Sequence, residues 1–103
     1  MIKSRNMNGI ELKELYELIS HNHEAEFEYK DKTYVLQPEV KDKKAYLVIW
    51  DVTPNEEKCI AKQDIPIKGT IPIKEIDAVL LQKCFDGNSF LDIEKDITVT
   101  YIY

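Results

Sequence analysis

The hydrophobic period of this chain changes once near its start, from 3.6 residues to 2, and that change sets what it can fold into. Leu12, Leu15, Tyr16 and Ile19 fall at i, i+3, i+4 and i+7, with Glu11, Lys13, Glu14 and Glu17 on the other side, the pattern of an amphipathic helix over about 9–21. Asn8 is placed to cap it, with Glu11 three residues on to complete a capping box, and Asn22 tolerates the left-handed conformation that ends a helix. From Ala25 the apolar residues alternate with charges, in Ala25-Glu26-Phe27-Glu28-Tyr29-Lys30 and again in Thr33-Tyr34-Val35-Leu36-Gln37-Pro38. A helix feeding a β-hairpin is therefore expected.

With Asp31-Lys32 as a two-residue loop, Tyr29 pairs with Tyr34, Phe27 with Leu36 and Ala25 with Pro38, all on one face, whereas a one-residue slip would turn Phe27 and Tyr29 to water. Asp-Lys is not a preferred turn pair, so a bulged loop is the other reading. Pro38 cannot donate to a ladder and marks an edge or a bulge. Lys41-Asp42-Lys43-Lys44 reads as a charged turn. The longest apolar run, Ala45 to Val52, has both parities apolar, which predicts a strand covered on both faces. Lys58 to Lys62 adds a short strand. The repeat Ile65-Pro66-Ile67-Lys68 and Ile71-Pro72-Ile73-Lys74 reads as an extended, proline-held loop bent at Gly69.

A second helix is expected from Ile73 to Phe85, with Ile76, Val79, Leu80 and Cys84 inward and Gly87 as C-cap. Ser89 with Asp92 three residues on predicts one more helical turn, and the alternation from Ile97 to Tyr103 a last strand. The order α-β-β-β-(β)-α-β defines one α+β domain over residues 1–103. Its sheet is mostly antiparallel, of four to five strands, with two helices on one face.

Charge narrows the function classes. Nineteen acids against 14 Lys and Arg leave a net charge of −5, which counts against a binder that works by neutralising phosphates. No stretch approaches the roughly 20 apolar residues of a membrane span, and Met1-Ile2-Lys3-Ser4-Arg5-Asn6 leads into polar sequence rather than a signal peptide's apolar region, so a cytoplasmic protein is expected. Cys59 and Cys84, 25 residues apart, fit buried thiols in such a reducing compartment better than a bridge.

Two clusters carry chemistry. His21-Asn22-His23-Glu24 offers His21 and His23 as weak metal candidates, because His-x-His on a strand presents both rings to one side, but structural and catalytic sites gather three or four ligands and these are the only histidines. No catalytic residue, nucleophile motif, phosphate loop or cofactor fingerprint emerges, which weighs against an enzyme. A small metal-dependent hydrolase using His21, His23 and nearby acids is the alternative. The order α-β-β-β-α also matches the double-stranded-RNA-binding domain, with Lys68 and Lys74 near the last helix, yet Glu75 and Asp77 follow at once. The second cluster is acidic. Six acids and one lysine lie between Glu11 and Glu28, and Glu24, Glu26 and Glu28 line one face of the first strand about 7 Å apart. This row favours a non-enzymatic protein-binding or regulatory module with a protein partner. Homodimerisation through the edge left by Pro38 or the C-terminal strand is a further expectation.

Leu18-Ile19-Ser20-His21, Glu24-x-Glu26-Phe27-x-Tyr29-x-x-Lys32-x-Tyr34 and Phe85-x-Gly87-x-Ser89-x-x-x-Ile93 together cover about a third of the chain. They resemble short uncharacterised proteins of Gram-positive bacteria and their mobile elements. Those proteins carry an E-x-E-F-x-Y hairpin closed by Asn-Gly-Lys and a G-K-S-Leu turn near the C-terminus. Here Asp31 replaces the glycine of the first turn and Asn88 the lysine of the second. The resemblance implies a bacterial or phage accessory protein and brings no activity.

Overall fold

Alternation in the first strand decides which side of the sheet is covered. A computed structural model describes residues 10–54 and 57–103. Its elements are α1 (Leu12–Ser20), β1 (Ala25–Tyr29), β2 (Lys32–Lys41), β3 (Lys44–Asp51), β4 (Lys58–Ile65), α2 (Ile73–Leu80), α3 (Phe90–Ile93), a 3-10 turn (Glu94–Asp96) and β5 (Thr98–Ile102). The five strands form one antiparallel sheet in the order β4-β3-β2-β1-β5. Ala25, Phe27, Leu36, Leu47, Ile49, Ala61 and Val99 share one sheet face and join Leu15 and Ile19 of α1, Ile76, Val79 and Leu80 of α2, and Phe90 and Ile93 of α3 in a single core. The α+β class is as read from the sequence, with a third short helix.

The helices end where their chemistry says they should, with two exceptions. Asn22 takes a left-handed φ of 68° just after α1. Asn8 lies outside the described residues, and Glu11 itself holds the N-cap position with extended backbone. The C-terminal end of α1 clasps the loop after β4: Ser20 Oγ donates to the Ile71 carbonyl at 2.9 Å, the Ile71 amide donates to the Ser20 carbonyl at 2.8 Å, and Asn22 Nδ2 donates to the Gly69 carbonyl at 3.1 Å. Ser89 and Asp92 form a reciprocal capping box on α3. Backbone donation from Ser89, aided by Lys83, draws the Asp92 carboxyl down to about 2.

Helix α2 stops at Leu80, five residues before the expected end, and Gly87 is not its C-cap. Asp86 and Gly87, at φ 53° and 87°, are instead the centre of a tight turn in which Phe85 and Asn88 exchange both backbone hydrogen bonds. Asp-Gly is a favoured pair for a turn needing positive φ at both central residues. That turn brings Phe85 back onto the core.

The first hairpin also differs from expectation. Tyr29 pairs with Lys32, Phe27 with Tyr34 and Ala25 with Leu36, so the loop is Lys30-Asp31 rather than Asp31-Lys32. The shift is two residues along β2, which preserves every side chain's face, so alternation alone cannot detect it. Asp42-Lys43 closes the β2–β3 hairpin in the same way, with φ of 53° and 64°. Pro38 is in an interior strand, opposite Leu47, and marks no sheet edge. It is tolerated because β1 begins at Ala25, opposite Leu36, and leaves position 38 without a partner on that side. The free edges of the sheet are β4 and β5.

Lys30 and Asp31 occupy left-handed conformations, φ 49° and 63°, that cost non-glycine residues roughly 1 kcal/mol or more each. Replacing them by Lys30→Asn with Asp31→Gly is expected to stabilise the domain by about 1 kcal/mol, raising Tm by roughly 4–8 °C in a calorimetric scan. An unchanged or lower Tm contradicts this assignment of the turn.

Candidate functional site

All three helices pack on one side, so the other side of the sheet is built from strand side chains alone. On β1 that side carries Glu26 and Glu28, and the Glu24 backbone extends the ladder by pairing with Tyr103 in both directions, at 3.4 and 2.9 Å. The carboxylate row read from the sequence is therefore one surface. Glu26 lies between Val35 and Tyr101, and Glu28 between Thr33 and Thr98, so no lysine stands directly across from either. Thr100 Oγ1 donates to Glu26 Oε2 at 3.0 Å. Beside the row, the rings of Tyr101 and Tyr103 stack at 4.7 Å between centres, and both residues are 58% exposed.

Across β2 and β3 the same face holds Trp50, the one tryptophan of the chain. Trp50 pairs with Val35, yet its indole Nε1 donates to Glu39 Oε2 at 2.6 Å, four pairs further along the ladder. Gln37 Nε2 donates to the same oxygen at 2.8 Å. The indole thus leans along the sheet past the level of Val48, which is buried although no helix covers it. This is how an apolar run can be interior on both parities in a sheet with one bare side. Val35, Gln37, Glu39, Trp50, Val52 and Glu57 enclose an open cup of about 340 Å³. Lys62 of β4 lies 4.0 Å from the Tyr46 ring centre, a cation–π contact. Lys41 and Lys44 pair at the hairpin tip, and the carboxylates of this face are Glu26 and Glu28 on β1, Glu39 on β2 and Asp64 on β4 opposite Tyr46.

The histidines are not on a strand. They flank the left-handed Asn22 between α1 and β1, where His21 Nδ1 lies 2.8 Å from the Glu17 carbonyl and His23 Nδ1 2.8 Å from the Tyr103 carbonyl. Glu14, Glu17 and Leu18 line one shallow cavity with both rings. Among the described residues no three His, Cys, Asp or Glu side chains are grouped to hold a metal ion, and no helix is long and apolar enough to cross a membrane. Both cysteines are free thiols. Cys59 is exposed rather than buried, and burial pushes the half-buried Cys84 thiol up to about 11.

The sequence matches no protein-family model, no curated protein and no solved structure. Trp50 and Glu39, central to this face, were missed by sequence reasoning. Their only signal was the pair of polar residues, Gln37 and Glu39, facing the apolar run across a hairpin.

Removing the indole's acceptor tests this arrangement. Glu39→Ala is expected to shift the Trp50 emission to longer wavelength and to cost about 1 kcal/mol, seen as a lower urea midpoint. Unchanged emission would show that Glu39 does not hold the ring.

Proposed function

We propose that this protein is a non-enzymatic binding or regulatory module whose helix-free sheet face receives a basic segment of a protein partner in the cytoplasm. The observation that carries the reading is the continuous row of Glu24, Glu26 and Glu28 beside the stacked, exposed rings of Tyr101 and Tyr103. Carboxylates about 7 Å apart along a strand suit successive cationic side chains of an extended segment, and aromatic faces hold guanidinium and ammonium groups. The Trp50 cup, rimmed by Glu39 and Glu57, extends the same chemistry across β2 and β3. Charge complementarity of this kind governs encounter rate and partner choice, and salt weakens it. The resemblance of the hairpin and of the Gly87 turn to short proteins of Gram-positive bacteria and their mobile elements supports an accessory role there.

Fluorescein-labelled octa-arginine, followed by anisotropy at low ionic strength, supplies the test. Glu26→Lys with Glu28→Lys is expected to weaken binding by about tenfold or more, because like charges then face the peptide. The charge-matched control Glu14→Lys with Glu17→Lys, on α1, should change it far less. Equal losses in the two variants would reduce the interaction to net charge and overturn the reading.

A further inference from the structure

On the helix side, at the end of the sheet formed by the β1–β2 turn, a further cavity of about 310 Å³ opens among β1, β2, β3, β4 and the segment after α2. Part of its wall is aromatic. Tyr29, Tyr34 and Phe85 are each less than 9% exposed, and the Phe85 ring meets Tyr29 and Tyr34 edge-on at 5.9 and 5.1 Å. Its mouth is cationic. Lys30 lies 5.4 Å from the Tyr29 ring centre, and Lys32 and Lys58 line the rim.

Beneath the rim sits Asp51, 2% exposed. Its Oδ1 accepts from the Thr53 amide at 3.0 Å, and its Oδ2 lies 3.7 Å from Lys32 Nζ. Burial alone would raise its pKa, but the Thr53 hydrogen bonds together with Lys32 and Lys58 outweigh that, and the carboxyl is held below its usual range. A buried anion so held draws the two lysines to the rim. Burial, then the Asp51 charge, pushes the Tyr34 hydroxyl up to about 12, so it stays protonated and able to donate. Three lysines against Asp51 and Asp86 leave one net positive charge here, in a chain whose net charge is −5.

We propose that this cavity binds a small aromatic phosphate monoester, its ring against Tyr29 and Phe85 and its phosphate between Lys30 and Lys58. The volume lies at the low end of the roughly 300–1,000 Å³ of ligand pockets, which suits one ring and one anionic group. The aromatic wall supplies stacking and apolar burial, and the lysines supply charge-assisted hydrogen bonds. Lys30, now resting over the Tyr29 face, moves from the ring to the phosphate.

Phenyl phosphate is the probe, titrated into the full chain while the ring-proton NMR signals of Tyr29, Tyr34 and Phe85 are followed. Saturable shifts at all three rings are expected, with inorganic phosphate and phenol each binding at least about tenfold more weakly, since each lacks half of the recognition. Lys58→Glu and, separately, Lys30→Glu should each weaken phenyl phosphate by about tenfold, with retained dispersion of the spectrum confirming the fold. The charge-matched pair Glu14→Lys with Glu17→Lys, on α1 and outside this cavity, should leave this binding unchanged, which separates the cavity from net charge. Absence of saturable shifts, equal affinity for inorganic phosphate, or indifference to both lysine substitutions would overturn the proposal.

Discussion

The ring of Phe27 is the contact on which the rest of this structure depends. It stands on β1, is 1% exposed, stacks on Tyr34 of β2 at 5.3 Å, and meets Phe90 of α3 edge-on at 5.2 Å and Phe85 at 6.3 Å. One side chain thus ties the first hairpin to the segment after α2, which has little regular structure of its own. Truncating a fully buried phenylalanine costs about 3–5 kcal/mol, a large share of the stability of a domain this size. An exposed ion pair such as Lys83 with Asp92 adds little by comparison, because solvent screens it. Aromatic packing on one face of β1, rather than surface charge, holds the C-terminal third in place.

That packing has a consequence for the opposite face. With α1, α2 and α3 all drawn to the Phe27 side, nothing but side chains is left to cover the other side of a five-stranded sheet. The chain covers it only where it must: Trp50 lies along the sheet at the level of Val48, and Lys62 reaches over Tyr46. Elsewhere the face stays open and carries carboxylates and tyrosines. The same alternation therefore divides β1 between two sides, Phe27 inward in the core and Glu26 and Glu28 outward on the open face.

How much of this was legible in the sequence follows from how local each signal is. The 3.6-residue spacing of Leu12, Leu15 and Ile19 and the alternation around Phe27 need only neighbouring residues, and both elements and their buried faces are as expected. Register is less local. Moving the loop from Asp31-Lys32 to Lys30-Asp31 leaves each side chain on its face, so the hydrophobic pattern is blind to it. The apolar spacing that runs on to Cys84 makes Gly87 look like a helix stop, whereas the Asp86-Gly87 pair is the stronger, turn-forming signal. The acidic row was visible because it lies within one strand. The Trp50–Glu39 bond and the lysine-rimmed cavity were not, since they join side chains from different strands and turns that only the folded register brings together.

Division of labour between the two faces of the sheet is the central claim, and mapping the bound surface tests it most directly. Amide NMR shifts recorded on the full chain during titration with octa-arginine should be largest at Glu26, Glu28, Tyr101 and Trp50, with α1 and α2 little affected. Shifts centred on α1 or α2, or spread evenly over the molecule, would contradict it.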